Sequence, residues 1–175
     1  MSTDAVQLFA ALLALATLAA TIAFLPLVLW ARSGHDSEIV RAIGEYRSLI
    51  CAMVAGGAMA GSLYFSEVAH YVPCTLCWYQ RIAMYSLAII AVTATIRRET
   101  PTPYFMVLAS IGAIISLYHW LLERYPSIDA GACSAAVPCT LVWFEKFGFV
   151  TLPFMALVGF LAVLTVCLVP TEEMA

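Results

Sequence analysis

The sequence predicts an all-α, polytopic membrane protein, and three observations carry that prediction. Of its 175 residues, 63% are hydrophobic and 11% charged, where a soluble domain carries roughly 45–50% apolar and about 25% charged residues. Five stretches are apolar over the ~20 residues that a helix needs to cross a hydrocarbon core ~30 Å thick at ~1.5 Å per residue. Each of the five is free of charge in its middle.

The first stretch, roughly residues 5–31, contains Pro26, an expected kink. Residues 1–4 carry no Lys or Arg, and the apolar run exceeds the ~7–15 residues of a signal-peptide core. It reads as an uncleaved helix with its N-terminus outside. The remaining spans are expected at 48–66, 78–96, 103–122 and 149–169, with Arg81 near the start of the third. Little mass remains outside the membrane, so no separate soluble domain is expected. Net charge is −3, and no segment is basic enough for nucleic acid.

Basic residues near helix ends favour the cytoplasmic side. Arg32, Arg41 and Arg47 lie in the first linker, and Arg97 and Arg98 in the 97–101 loop. Those segments are assigned inside. Alternation then places 67–77 and 123–148 outside, near Arg81, Arg124 and Lys146. Cys74, Cys77, Cys133 and Cys139 fall in or beside the outside loops, where disulfides persist. Cys51 and Cys167 fall within helices near the inside ends, where a free thiol packs as a small apolar group.

One phrase occurs twice. VPCTLCWYQR at 72–81 returns as VPCTLVWFEK at 137–146, with Val142 in the place of Cys77. Both copies are expected to begin a helix at the membrane surface, with Trp78 and Trp143 in an interfacial belt. Trp143, Phe144 and Phe147 predict a short surface-lying turn before the last span.

In the first copy, Cys74 and Cys77 form a Cys-x-x-Cys motif at a predicted helix start, preceded by Pro73. Free amides and the helix dipole favour an anion there, so a thiol in that first turn is expected to ionise readily. Arg81 lies one turn beyond Cys77 on the same face and favours the Cys77 thiolate, or another anion beside it. His70, four residues before Cys74, is a further candidate for tuning that thiol.

The motif alone leaves three uses open. Haem attachment is set aside, because Trp78 stands where a His is needed. Zinc would require four ligands, and Cys133 and Cys139 are spaced more widely than paired zinc cysteines. The others are a structural disulfide pair and a redox pair. The segment around Cys133 is rich in small residues, which suits an exposed loop. A clamped pair and a loop pair of different exposure suit a relay, because exchange requires direct attack of thiolate on disulfide sulfur.

CTLCWYQR at 74–81, YHWLLERYPS at 118–127, the Cys133/Cys139 loop and FGFVTLPFMAL at 147–157 together resemble the DsbB family of bacterial disulfide-forming membrane oxidoreductases. The short loop pair resembles its BdbC-like branch. The likeness covers roughly residues 46–170. It implies a four-transmembrane-helix bundle over 46–175, with residues 1–45 as one extra N-terminal transmembrane helix and a cytoplasmic linker. It implies a thiol:quinone oxidoreductase of the bacterial cytoplasmic (inner) membrane, using ubiquinone or menaquinone. The implied partner is an extracytoplasmic DsbA-like, thioredoxin-fold dithiol protein. Carried over by position, Cys133 meets the partner, Cys139 exchanges with Cys74, and Cys77 faces the quinone, its thiolate in a charge-transfer contact. Arg81 and His119 match residues on the quinone side. The physical reading agrees: an arginine stabilises a developing oxyanion, and a histidine carries a proton near neutral pH.

A vitamin K epoxide reductase type of enzyme is the nearest rival, but there the loop cysteines precede the Cys-x-x-Cys, and here they follow it. A non-enzymatic membrane scaffold with structural loop disulfides, or a metal-binding protein, are the alternatives from other classes.

Overall fold

The computed structural model describes residues 2–35, 37–129, 131–133 and 137–170. They form six α-helices and no strand: α1 (Thr3–Arg32), α2 (Glu38–Glu45), α3 (Arg47–Leu63), α4 (Thr75–Arg97), α5 (Thr102–Arg124) and α6 (Leu152–Cys167). A π-helical turn, Tyr64–Val68, prolongs α3. Four helices are long and apolar enough to cross a membrane: α1, α3 with its π turn, α4 and α5. Ile89, Ile96 and Ile114 are more than 60% exposed around the bundle. In water such a surface would drive aggregation; in a membrane it faces acyl chains.

The fifth expected span is shorter than its apolar run. Residues 149–151 are not helical, and α6 has 16 residues, a rise of ~24 Å. Its start is delayed by a tight turn in which Lys146 and Val150 pair antiparallel. Phe147 and Gly148 reverse the chain there with φ of 56° and 76°. Thr151 is then extended, and Pro153 stands in the first helical turn, where its missing N–H costs nothing. The surface turn expected before the last span is therefore present, although Phe144 is buried at its edge and Phe147 is exposed.

The expectation that both copies of the repeat begin a helix holds only for the first. Residues 137–146 begin none; α6 starts beyond them.

α6 is the hub of the bundle, packed by α1, α3 and α5, while α4 lies between α3 and α5. Leu87, Phe105, Phe160 and Val163 sit in the main core. α5 and α6 meet closely at Gly112. A Cβ there would stand 2.2 Å from the Phe160 ring, so any larger residue would push the helices apart.

Arg47 ties the end of the bundle opposite Cys74. It is 1% exposed. Its guanidinium donates to Thr102 Oγ1 at 2.8 Å and to the Val169 carbonyl, joining the start of α3 to the start of α5 and the end of α6. One of the basic residues used to orient the chain is thus an internal brace. Cys51 and Cys167 are free and buried beside it in the main core, as expected of apolar thiols.

Candidate functional site

Cys74 is the N-cap of α4. Tyr71-Val72-Pro73 belong to no helix, and Cys74 is extended (φ −76°, ψ 175°). An N-cap side chain satisfies one of the first free amides of its helix. Here the cap is a sulfur: Cys77 N–H donates to Cys74 Sγ at 3.2 Å. The two sulfurs are unbonded and 2.7 Å apart, longer than the ~2.05 Å of a disulfide.

His119, from α5, stands between the two cysteine pairs. It is 2% exposed. Its Nε2 lies 3.1 Å from the Cys139 carbonyl oxygen and 3.7 Å from Cys74 Sγ. A carbonyl only accepts, so Nε2 carries the proton and Nδ1 accepts. Gln80 supplies the matching donor, its Nε2 lying 2.8 Å from Nδ1. The imidazole is therefore held in one tautomer, its N–H aimed at Cys139 and Cys74.

These donors decide which sulfur is the anion. The Cys74 thiol is lowered to about 4, chiefly by the hydrogen bond from Cys77 and further by the His119 N–H and the Cys77 amide; burial opposes them. These contacts favour the anion on Cys74 over Cys77. The helix-start argument anticipated a favoured anion in this turn, but the thiolate expected on Cys77 beside Arg81 is displaced to Cys74, because the hydrogen bonds converge on that first sulfur. His70 makes no hydrogen bond to Cys74 among the described residues; it takes a left-handed conformation (φ 59°) where the chain leaves the π turn. The histidine beside Cys74 is His119.

Cys133 and Cys139 form a disulfide with Cα atoms 5.8 Å apart. Cys139 is 2% exposed and belongs to one buried cluster with Cys74, Leu76 and Leu122. Cys133 is only partly buried. The inner end of the loop disulfide therefore meets the Cys-x-x-Cys pair, and its outer end is nearer the surface.

Two cavities meet at Cys77. The smaller, about 10 Å³, is lined by Cys74, Cys77, His119 and Glu123. The larger, about 360 Å³, is walled mainly by apolar side chains, with Cys77, Gln80, Arg81, Ser62 and Tyr85 supplying polar groups. Arg81 donates to the Ser62 carbonyl at 3.0 Å and lies over the Trp78 ring. Tyr85 donates to Ser62 Oγ at 3.1 Å. Such a volume, apolar with a few convergent polar groups, is that of a small-molecule site. Its donor set fits the carbonyl oxygens of a quinone ring, and its apolar walls fit the rest of such a molecule. His119 lines the small cavity and is not among the residues lining the large one.

Cys74, Cys77 and His119 also place three ligand atoms within 4.8 Å of one another. The Cys139 carbonyl keeps a proton on the nearer His119 nitrogen, and the loop cysteines are bonded to each other, so the four-ligand set of a structural zinc site is not assembled here.

Sequence reasoning missed Gln80 and Glu123. Gln80 follows Cys77 by three residues and Glu123 follows His119 by four, each on the same helix face as its neighbour. That spacing was the available signal. Glu123 accepts from Thr151 Oγ1 at 2.6 Å.

The sequence matches the family described as disulfide bond formation protein DsbB over residues 45–170. Disulfide bond formation protein C of Bacillus subtilis (strain 168) is 41% identical over 136 residues, 76% of this chain and 96% of the relative. A probable disulfide formation protein of Oceanobacillus iheyensis is 42% identical over 119 residues, 66% of this chain and 82% of that protein. Probable disulfide formation protein C 1 of Bacillus anthracis is 46% identical over 108 residues, 61% and 78% respectively. No solved structure matches the chain. The chain belongs to the DsbB family of disulfide bond formation proteins.

Proposed function

We propose that this member of the disulfide bond formation family is a membrane thiol:quinone oxidoreductase. In this reading it reoxidises a DsbA-like, thioredoxin-fold dithiol protein and delivers the electrons to ubiquinone or menaquinone. The redox loops face the extracytoplasmic side of the bacterial cytoplasmic membrane. Residues 46–175 are the catalytic bundle, and residues 1–45 are an addition to it. The observation that carries the reading is the position of Cys77, whose side chain lines both the cavity of the thiol pairs and the large apolar cavity.

The steps follow from thiol–disulfide exchange. A partner thiolate attacks Cys133, the more accessible loop sulfur, and Cys139 leaves as thiolate. The partner's second thiol then releases Cys133, and the partner departs oxidised. Cys139 attacks Cys74 of an oxidised Cys74–Cys77 pair, with Cys77 as leaving group. Cys133 attacks Cys139, the loop disulfide re-forms, and Cys74 is released as a thiolate stabilised by Cys77 and His119. Two electrons have then passed from partner to Cys74 and Cys77.

The chemistry a quinone supplies when bound is a sink for two electrons and two protons. Arg81 and Tyr85 hold the polar end of the cavity beside Cys77, and the apolar walls exclude water. As the Cys74 thiolate and the Cys77 thiol close into a disulfide they give up two electrons and the one Cys77 proton; a second proton, from solvent, completes the balance of a two-electron, two-proton acceptor.

Purified protein supplied with a reduced thioredoxin-fold dithiol protein is expected to reduce quinone, followed by quinone absorbance. Cys77→Ser is expected to lose this to background, while Cys51→Ala and Cys167→Ala keep it. Folded protein that reduces no quinone, or a Cys77→Ser variant that turns over normally, would sink the proposal.

A further inference from the structure

α1 adds a wall to the large cavity. Ala10, Leu13, Ala14 and Thr17 line it, and their spacing puts them on one helix face. Across the space stand Met53, Gly57 and Gly61 of α3. A Cβ on either glycine would meet nothing within 4 Å, so that side of the cavity is open space and not packed protein.

The packing of α1 leaves room beside α3. α1 lies along α6, with Ala11 against Val150, Phe154 and Val158 near one end and Val28 against Val40 and Val169 near the other. It does not pack along α3. The cavity therefore lies between α1 and α3, two helices that line it and are not packed on each other. Its polar groups, Arg81, Ser62 and Tyr85, gather near Cys77; from there it continues past Thr17 and Met53 with apolar walls.

The start of α1 is tied to the rim of the redox site. Gln7 Nε2 donates to the Tyr71 hydroxyl at 2.6 Å. Tyr71 stacks on Trp143 at 4.8 Å, and both rings line the cavity. Asp4 pairs with Lys146. The start of α1 is thereby anchored at the rim of the cavity.

We infer that α1 is the tail-side wall and lateral entrance of the acceptor site: a lipid-soluble quinone enters between α1 and α3, its ring reaching Cys77 and Arg81 and its isoprenoid tail lying along Ala10, Leu13, Ala14 and Thr17. The inference rests on the quinone reading above and assigns a role to the segment outside the family match.

Full-length protein in lipid vesicles is irradiated with a quinone carrying a photoreactive diazirine on its isoprenoid tail, with and without excess unlabelled quinone, and labelled peptides are mapped by mass spectrometry. Competed label is expected within residues 10–17 as well as on α3 and α4. Competed label on α3 and α4 with none on α1 would overturn the α1 assignment and leave the quinone reading standing. No competed label anywhere would overturn both. Equilibrium retention of radiolabelled quinone is the second readout. Leu13→Trp, which adds bulk at the entrance, is expected to weaken binding roughly tenfold, the loss of ~1.4 kcal/mol. Ile22→Trp, at a residue 63% exposed and outside the cavity lining, is expected to bind as the parent does. Unchanged binding in Leu13→Trp would overturn the inference.

Discussion

Val-Pro-Cys-Thr-Leu at 72–76 and Val-Pro-Cys-Thr-Leu at 137–141 are the same five residues with opposite fates. In the first copy the cysteine sulfur is free to cap a helix, and α4 starts at the next residue. In the second the sulfur is bonded to Cys133 and cannot cap. The chain instead folds back: Trp143 stacks on Tyr71, Phe144 packs against Phe65, and helix resumes only at Leu152. The two tryptophans diverge likewise, Trp78 being 53% exposed under Arg81. Local sequence at a helix start is thus permissive; the bonding of one sulfur and the surfaces offered to the next aromatic residues decide. With Val142 standing where the first copy has Cys77, Cys139 keeps Cys133 as its bonded partner and Cys74 as its buried neighbour.

The largest effect expected from breaking this contrast is in Cys139→Ser. It removes the junction between the pairs, so partner-driven quinone reduction should fall to background while quinone retention stays normal. Parallel loss of both would mean that Cys139 acts by holding the cavity together.

The next concerns the capping sulfur. In reduced protein, Cys74 should be alkylated with a half-maximal rate near pH 4, against ~8.5 for a free thiol. The sign follows from a lowered pKa: the thiolate persists at neutral pH and is lost only as pH falls through about 4. His119→Leu removes an N–H aimed at that sulfur and should raise the midpoint by roughly one pH unit or more. A Cys74 midpoint in the parent protein near the ~8.5 of a free thiol would remove the physical basis for Cys74 as the favoured thiolate.

A smaller effect separates the tryptophans. Trp143→Ala loses a stacked ring and should cost about 1–2 kcal/mol, read as a lower melting temperature in detergent. Trp78→Ala, at an exposed site, should cost no more than ~0.5 kcal/mol. Equal losses would erase the distinction between the two copies. The smallest effect is expected from Val142→Cys, which restores the dropped thiol. Disulfide mapping should still find Cys133–Cys139, because residues 139–142 form no helical turn like that at Cys74. A dominant bond from Cys139 to the introduced thiol would show that sequence spacing, and not the fold, selects the pair.

Much of the architecture was legible beforehand because membrane helices announce themselves by length and apolarity. A backbone without water must bond to itself, so α1, α3, α4 and α5 follow from their apolar runs. Cys74 at a helix start was legible from Pro73 and the onset of the third apolar run. The family motifs pointed to Cys133, Cys139, Arg81 and His119 as a group.

The sequence by itself therefore determined the spans, the segregation of four cysteines from Cys51 and Cys167, and the chemical kind of the site. The tertiary structure decided the rest. It shortened α6, because the turn at 146–150 follows aromatic contacts made with Phe65 and Tyr71, far back in the chain. It made Arg47 an internal brace between three helix ends. It chose Cys74 as the thiolate, because that choice depends on an imidazole from α5 whose tautomer is set by Gln80 of α4. It also brought α1 to the rim of the large cavity. These outcomes rest on groups distant in sequence meeting at hydrogen-bond or van der Waals range, and composition and spacing along one chain carry no record of such meetings.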